Sequence, residues 1–432
     1  MQPVQAKITK KLLLRFAIGL FALGGLVIAF WWFKSHESDP HGDDAMITAG
    51  WIAAIETTGD VGHAVVFTNE DKLIRQPNPP PDNDDRDLAW RPDGNYIFFS
   101  SNREKDKYTM HRWHPNGGAA EMRSAFGLPQ TAPFFLASDA DKHNNALGLV
   151  TAPGRIMLYD AKKPGLMQEL PPPDPKRRVE EGSEGKGQIS PFEAVYERYG
   201  TSFRNAKWTP DKQAIFAVMR SETGETLIYQ KLEADPTKPE ATLPAPVLAG
   251  DRIEFDIDQH TGVIYFSVQN FQWPTEQIPS QFVKNGRVTT PYRHGIGMID
   301  ISATEPAKRL RMIAASQDDK SCFGAVSLAL SGDKLAIVQG SYLGNGNMTP
   351  KALLMAGLKG SLQGQIGAVM QGEIYEPNWS PDGHMLAFAR RESRTSRPIY
   401  VLEEGTSTPR RVSPQEGVFG FPVFSPQTPA KG

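Results

Sequence analysis

Two patterns of hydrophobic and polar positions divide the chain. Residues 16–33 (FAIGLFALGGLVIAFWWF) are an apolar run of 18 residues with no charge, and Leu12, Leu13 and Leu14 extend it across Arg15. As a helix this run is ~27 Å long, close to the ~30 Å hydrocarbon core of a bilayer. Past residue 46 the pattern becomes short apolar runs separated by Gly, Pro, Asn and Asp, which predicts strands and tight turns. Ile97-Phe98-Phe99 and Met385-Leu386-Ala387-Phe388 fit strands buried on both faces.

Three stretches of this second region repeat one plan: residues 88–114, 206–232 and 377–403. Each reads as Trp, one variable residue, Pro-Asp, a turn, an apolar strand, a polar loop and a second strand. Pro presets φ for the turn, Asp accepts a backbone N–H, and Gly supplies positive φ. Looser copies lie at 134–150, 255–266 and 326–338, and the chain closes on a repeat opening at 421–426. Aligned on the Trp position, the copies fall at Trp90, Leu136, Trp208, Ile257, Leu330, Trp379 and Phe424, with spacings of 46, 72, 49, 73, 49 and 45. Periods near 40–50 residues with about four strands each indicate a β-propeller. The count predicts an all-β propeller of seven four-stranded blades, one of them built from both chain ends so that no sheet edge is left open.

The residues carry a resemblance. Trp379-Ser-Pro-Asp-Gly383 with Ile399-Tyr400, Trp90-Arg-Pro-Asp-Gly94, and Trp208-Thr-Pro-Asp211 with Ile228-Tyr229 resemble the TolB-type propeller repeat. The resemblance covers roughly residues 47–426 and implies the fold; function does not follow from it, because propellers host many activities. The chain is thus expected to comprise a cytoplasmic N-terminus (1–11), a transmembrane helix (12–33), a linker (34–46), the propeller (47–426) and a tail (427–432).

The two long spacings place insertions at 171–199 and 270–294. In an up-and-down blade, both connection types emerge on one face, together with 342–350 and the acidic loop 76–87. Elaborated loops gathered on one rim suggest a binding surface, and their aromatic residues are the candidate contacts: Tyr196 and Tyr199 in the first insertion, Phe271, Trp273, Phe282 and Tyr292 in the second, and Tyr342 beside it.

Charge settles topology and excludes some chemistry. Lys7, Lys10, Lys11 and Arg15 precede the apolar run, while Glu37, Asp39, Asp43 and Asp44 follow it. That asymmetry keeps the N-terminus in the cytoplasm and sends the bulk of the chain to the periplasmic side of a bacterial inner membrane. Val27-Ile28-Ala29 also reads as a cleavage site, but the run is longer than a signal-peptide core. With 47 Lys and Arg against 49 Asp and Glu, the net charge of −2 offers no footprint for nucleic acid. Gly and Pro, at 39 and 35 residues, exceed average usage and argue against a helical bundle. The single Cys322 has no partner for a disulfide and reads as a buried small residue. No cofactor is implied; Asp82, Asp84, Asp85 and Asp87, or Asp139, Asp141 and Asn144, could gather calcium but lack the spacing of a known loop. No Gly-x-Ser-x-Gly elbow occurs. The expectation is a non-enzymatic, membrane-anchored module that binds a protein partner through the elaborated rim. The alternative is a hydrolase or lyase acting on saccharide or peptide at the central channel.

Overall fold

The computed structural model describes residues 50–426, apart from 92–93, 104–107, 123–129, 136–145, 152–154, 161–165, 171–201, 212–213, 232–244, 290–292, 302–308 and 360–364. The membrane segment expected at 12–33 lies outside the described residues. Among those described, no helix is long and apolar enough to cross a membrane.

The repeat becomes a blade through its turn. In the clearest copy, the Ser380 hydroxyl donates to the Asp382 carboxylate at 2.5 Å and accepts the Met385 N–H at 2.9 Å. The Gly383 N–H closes on the Ser380 carbonyl, and Gly383 takes φ +71°. The turn reverses the chain so that Glu373–Trp379 pairs with Met385–Arg391 and brings Trp379 opposite Leu386. Trp90 pairs with Ile97 and Trp208 with Ile215 by the same seven-residue offset. That offset also corrects the sequence alignment in one repeat. Leu328, not Leu330, holds the Trp position, since Leu328 faces Leu335.

Six blades of four antiparallel strands follow one another: blade 1 (85–122), blade 2 (130–170), blade 3 (202–250), blade 4 (252–315), blade 5 (321–371) and blade 6 (373–411). The expected seven four-stranded blades are therefore corrected to six. The remaining large sheet has five strands, because Ser396–Arg397 adds in parallel to the edge of Gly417–Phe424. In that closing sheet Gly417–Phe424 pairs with Ile52–Thr58, which pairs with Val61–Phe67 and then Leu73–Arg75. Both ends of the propeller region thus share one sheet. The first strand of each blade contacts the first strand of the next, and Gly417–Phe424 fills the interval between blades 6 and 1.

Apolar side chains between sheets form the core. Phe67, Phe98, Phe99, Phe216, Phe255, Phe266, Phe388 and Phe419 are fully buried. Indoles stitch neighbouring units: Trp379 Nε1 donates to the Ser327 carbonyl in blade 5, and Trp90 Nε1 to Val423 in the closing sheet. Cys322 is buried too, and burial pushes its thiol up to about 11, which removes it from thiolate chemistry.

The innermost strands share one irregularity. Each of blades 1, 3 and 6 shifts register there, and Asp87, Asn205 and Glu376 adopt φ +56°, +49° and +54°. Phe421 in the closing sheet does the same at φ +54°. All four stand three residues before the Trp position. Such a left-handed residue in a bulge re-aims its side chain relative to the strand.

Candidate functional site

In each blade the connection between second and third strands emerges at the end where the chain enters from the preceding blade. The structure joins these connections between blades 4 and 5. Asp251, at the entry to blade 4, accepts hydrogen bonds from Tyr342 Oη and, at 3.1 Å, from Asn270 Nδ2. Asn270 N–H donates to His294 Nδ1 at 3.2 Å, and the His294 ring packs against Tyr342 with centroids 4.4 Å apart. His294 also makes a hydrogen bond with the Asp319 backbone, yet burial lowers its pKa below the ordinary value. Tyr342, partly desolvated and hydrogen-bonded to the Asp251 carboxylate, is pushed up to about 12 and holds its proton.

The insertion 270–294 is thus pinned at both ends, and its middle folds back on its own blade. Trp273 is only 2% exposed; it stacks on Phe266 at 6.1 Å and meets Phe271 edge-on at 5.1 Å. Glycine makes the slot: a Cβ on Gly295 would stand 2.5 Å from the Trp273 ring, and one on Gly297 would stand 2.6 Å from Phe266. Gln277 reaches the outermost strand of blade 4, donating to the Leu310 carbonyl and accepting the Met312 N–H, both at 2.6 Å. Phe282 is half-buried against the same core. Of the sequence candidates, Phe271, Trp273, Phe282 and Tyr342 are therefore brought together as packing around blades 4 and 5. Tyr196, Tyr199 and Tyr292 lie outside the described residues, as does the insertion at 171–199.

Beside this bracing two apolar side chains reach solvent among polar neighbours, Lys284 and Arg287 included. The insertion ends in a ribbon, Val283–Lys284 against Arg287–Val288, turned by Asn285 and Gly286 at φ +50° and +72°. Blade 5 extends its central hairpin to two 11-residue strands, Lys334–Gly344 and Asn347–Gly357, turned by Asn345 and Gly346 at φ +49° and +76°. Val288 and Leu343 sit beside these tips, 37% and 66% exposed. The two Asn-Gly pairs are the strongest short hairpin signal a sequence offers, and they mark these tips where aromatic content alone does not.

The acidic loop of blade 1 is occupied by its own chain. Asp85 is fully buried and accepts from Ala64 N–H, Gln76, Asn83 and Arg103. Asp84 accepts from Gly62 N–H at 2.9 Å, Arg86 at 2.6 Å and Tyr108 at 2.6 Å, and these donors hold its pKa below the usual value despite burial. Asp87 has no such partners among the described residues; desolvation raises it to about 7. Glu376 is raised as well by desolvation, opposed by the Phe421 N–H, which it accepts at 2.6 Å. Among the described residues, no three His, Cys, Asp or Glu side chains gather as a metal group. Asp139, Asp141 and Asn144 lie outside them.

One cluster on this face has no counterpart among the sequence candidates. The second-to-third connection of blade 6 carries Arg390, Arg391, Arg394 and Arg397 within eight positions. Arg390 lies over the Tyr400 ring at 6.0 Å, while Arg391 and Arg397 lie over Tyr375 at 5.7 and 5.5 Å. Arg391 also pairs with Glu373 at 3.2 Å, and Arg397 Nε donates to the Phe419 carbonyl at 2.7 Å. Four arginines in one short turn is the signal that finds it.

No protein-family model matches the chain, and no curated protein matches it in sequence. Solved structures do. TolB from Acinetobacter baumannii is similar over 87% of this chain and 66% of its own, at 12% identity and a TM-score of 0.45. A prolyl endopeptidase structure matches over 85% of this chain and 48% of its own, at 12% identity and 0.50. An oligogalacturonate lyase in complex with manganese matches over 85% and 86%, at 11% identity and 0.48. The chain spans about two thirds of that TolB chain and about half of the endopeptidase. At these identities the likeness is one of fold alone, that of a β-propeller.

Proposed function

We propose that the protein is a single-pass membrane protein whose residues 12–33 hold it in a bacterial cytoplasmic membrane. Its propeller stands on the periplasmic side and binds a protein partner through the loop-bearing face. The supporting observation is an exposed apolar side chain beside the tip of each of two hairpins. Val288 and Leu343 are exposed beside the turns of two hairpins, and hydrogen bonds among Asp251, Asn270, His294 and Tyr342 join the blade 4 insertion to the blade 5 hairpin. Rigid loops that offer apolar side chains lose little entropy on binding. The test is site-specific photo-crosslinking in cells of the full chain carrying the probe at the neighbouring turn positions 285 and 345, with residues 288 and 343 left free to vary. A discrete partner adduct is expected, and it should be lost in the double variant Val288→Glu, Leu343→Glu. Equal capture by that variant would sink the reading.

A second reading, an enzyme acting on saccharide or peptide within the channel, is supported by Asp87. Its carboxyl has no ion-pair or hydrogen-bond partner among the described residues, and burial raises its pKa to about 7, in the range a general acid or base requires. Turnover of an oligosaccharide or peptide panel that disappears in Asp87→Asn would favour it; no turnover by the parent protein would remove it.

A further inference from the structure

We infer that the partner segment is an acidic peptide carrying an apolar side chain, and that it docks at the channel mouth between blade 6 and the closing sheet. This rests on the partner-binding reading of the loop face and assigns the chemistry of the contact. The turn at 390–397 places four guanidinium groups on one short connection, and two tyrosines fix three of them. Tyr375 lies beneath Arg391 and Arg397, and Tyr400 beneath Arg390. Stacked arginines retain their outward N–H donors, arranged as forks that match carboxylates.

Arg391 and Arg397 use part of that capacity internally, on Glu373 and on the Phe419 carbonyl beside Glu376. Arg394, at the exposed tip of the turn, makes no ion pair among the described residues. The Arg391–Glu373 pair is exposed on both sides, at 49% and 39%, so an incoming carboxylate can exchange with Glu373 at small cost. The Glu392 carboxylate is occupied by the Tyr400 hydroxyl. Further along the same wall, Phe421 is 49% exposed in the strand Gly417–Phe424. Its conformation is held by its N–H bond to Glu376, and Arg397 fixes the preceding Phe419 carbonyl. Cations above and an exposed ring below suit a segment with carboxylates flanking one apolar residue. A basic peptide would be repelled at the mouth.

Fluorescence anisotropy on the full-length protein in detergent tests this. The probes are a labelled octapeptide of Glu with two central Phe, its Lys counterpart and an all-Glu octamer. The Glu/Phe peptide should bind saturably, more tightly than the all-Glu octamer, and weaken with added salt. The Lys peptide should not bind. Arg390→Glu with Arg394→Glu should weaken the Glu/Phe peptide about tenfold or more, and Phe421→Ala should remove its advantage over the all-Glu octamer. Thermal melts matching the parent show that these variants fold. Three results would each overturn the inference: binding of the Lys peptide as tight as that of the acidic one, unchanged affinity in the Arg variant, or no saturable binding of the Glu/Phe peptide. The two levels separate cleanly. If Val288→Glu, Leu343→Glu loses the cellular adduct while the Arg variant keeps it, the loop face stands as the binding surface and the acidic-peptide site falls. Retention of the adduct by both variants removes the surface itself.

Discussion

Blade 4 and blade 6 handle the same connection, between second and third strands, in opposite ways. Blade 4 spends 25 residues there, from 270 to 294, and most of the added apolar surface turns inward. Trp273 fills a slot floored by glycine, Gln277 satisfies the edge strand, and His294 locks the return. Blade 6 uses only a short turn, yet keeps its guanidinium groups outward and stacked on tyrosines. A long loop is therefore not in itself a binding loop. An insertion needs its own core, and its aromatic residues are the first to be used for that. A short turn supported by the blade below it can leave its polar groups free.

The sharpest way to break this contrast is stability. Trp273→Ala removes a fully packed indole and should destabilise the propeller by about 3–5 kcal/mol, the range for large aromatic truncations in a core. Gly297→Ala forces a Cβ against Phe266 and Trp273 and should cost about 1–3 kcal/mol through overpacking. Arg394→Glu, with no ion pair among the described residues to lose, should stay within about 0.5 kcal/mol. Chemical denaturation of the three variants beside the parent protein measures all of this. A neutral Trp273→Ala would mean that the insertion is an independent appendage, and the distinction between the two connections would collapse.

Much of the architecture was legible because the repeat encodes it locally. Trp, Pro-Asp-Gly and the following apolar run specify a turn and two strands within about 15 residues, and Trp90, Trp208 and Trp379 occupy equivalent register positions. The meeting of both ends of the propeller region in one sheet also follows from an orphan repeat opening at 421–426. The parallel addition of Ser396–Arg397 is not encoded that way. It pairs residues about twenty positions apart through a tertiary coincidence, with no periodic signal. The same limit applies to the site. Aromatic content located the insertion, but whether Trp273 points outward or inward depends on Gly295 and Gly297 across the sheet. Nothing in the sequence around those glycines marks them as the floor of a slot. Leu343 and Val288 gave no signal alone, although the Asn-Gly pairs beside them did.

The smaller effect concerns how the insertion is held. His294 is buried, accepts the Asn270 N–H on Nδ1 and bonds to the Asp319 backbone. Asp251 and Asp319 favour the protonated ring, while Arg293 and above all burial oppose it, and the net pKa lies below 6.5. The folded state therefore prefers neutral histidine. Its contribution is fully present above about pH 6.5 and is lost as pH falls through the folded-state value. Protonation also converts Nδ1 from an acceptor into a donor facing the Asn270 N–H, so the two ends of the insertion should part first. The parent protein should lose stability between pH 7 and pH 5 faster than His294→Gln, and proteolysis within 270–294 should accelerate over the same interval. Because the blade 6 turn contains no histidine, its binding of the acidic octapeptide should not change in step. A parent and variant that lose stability in parallel would show that His294 does not hold the insertion, leaving Asp251 and Tyr342 to brace it alone.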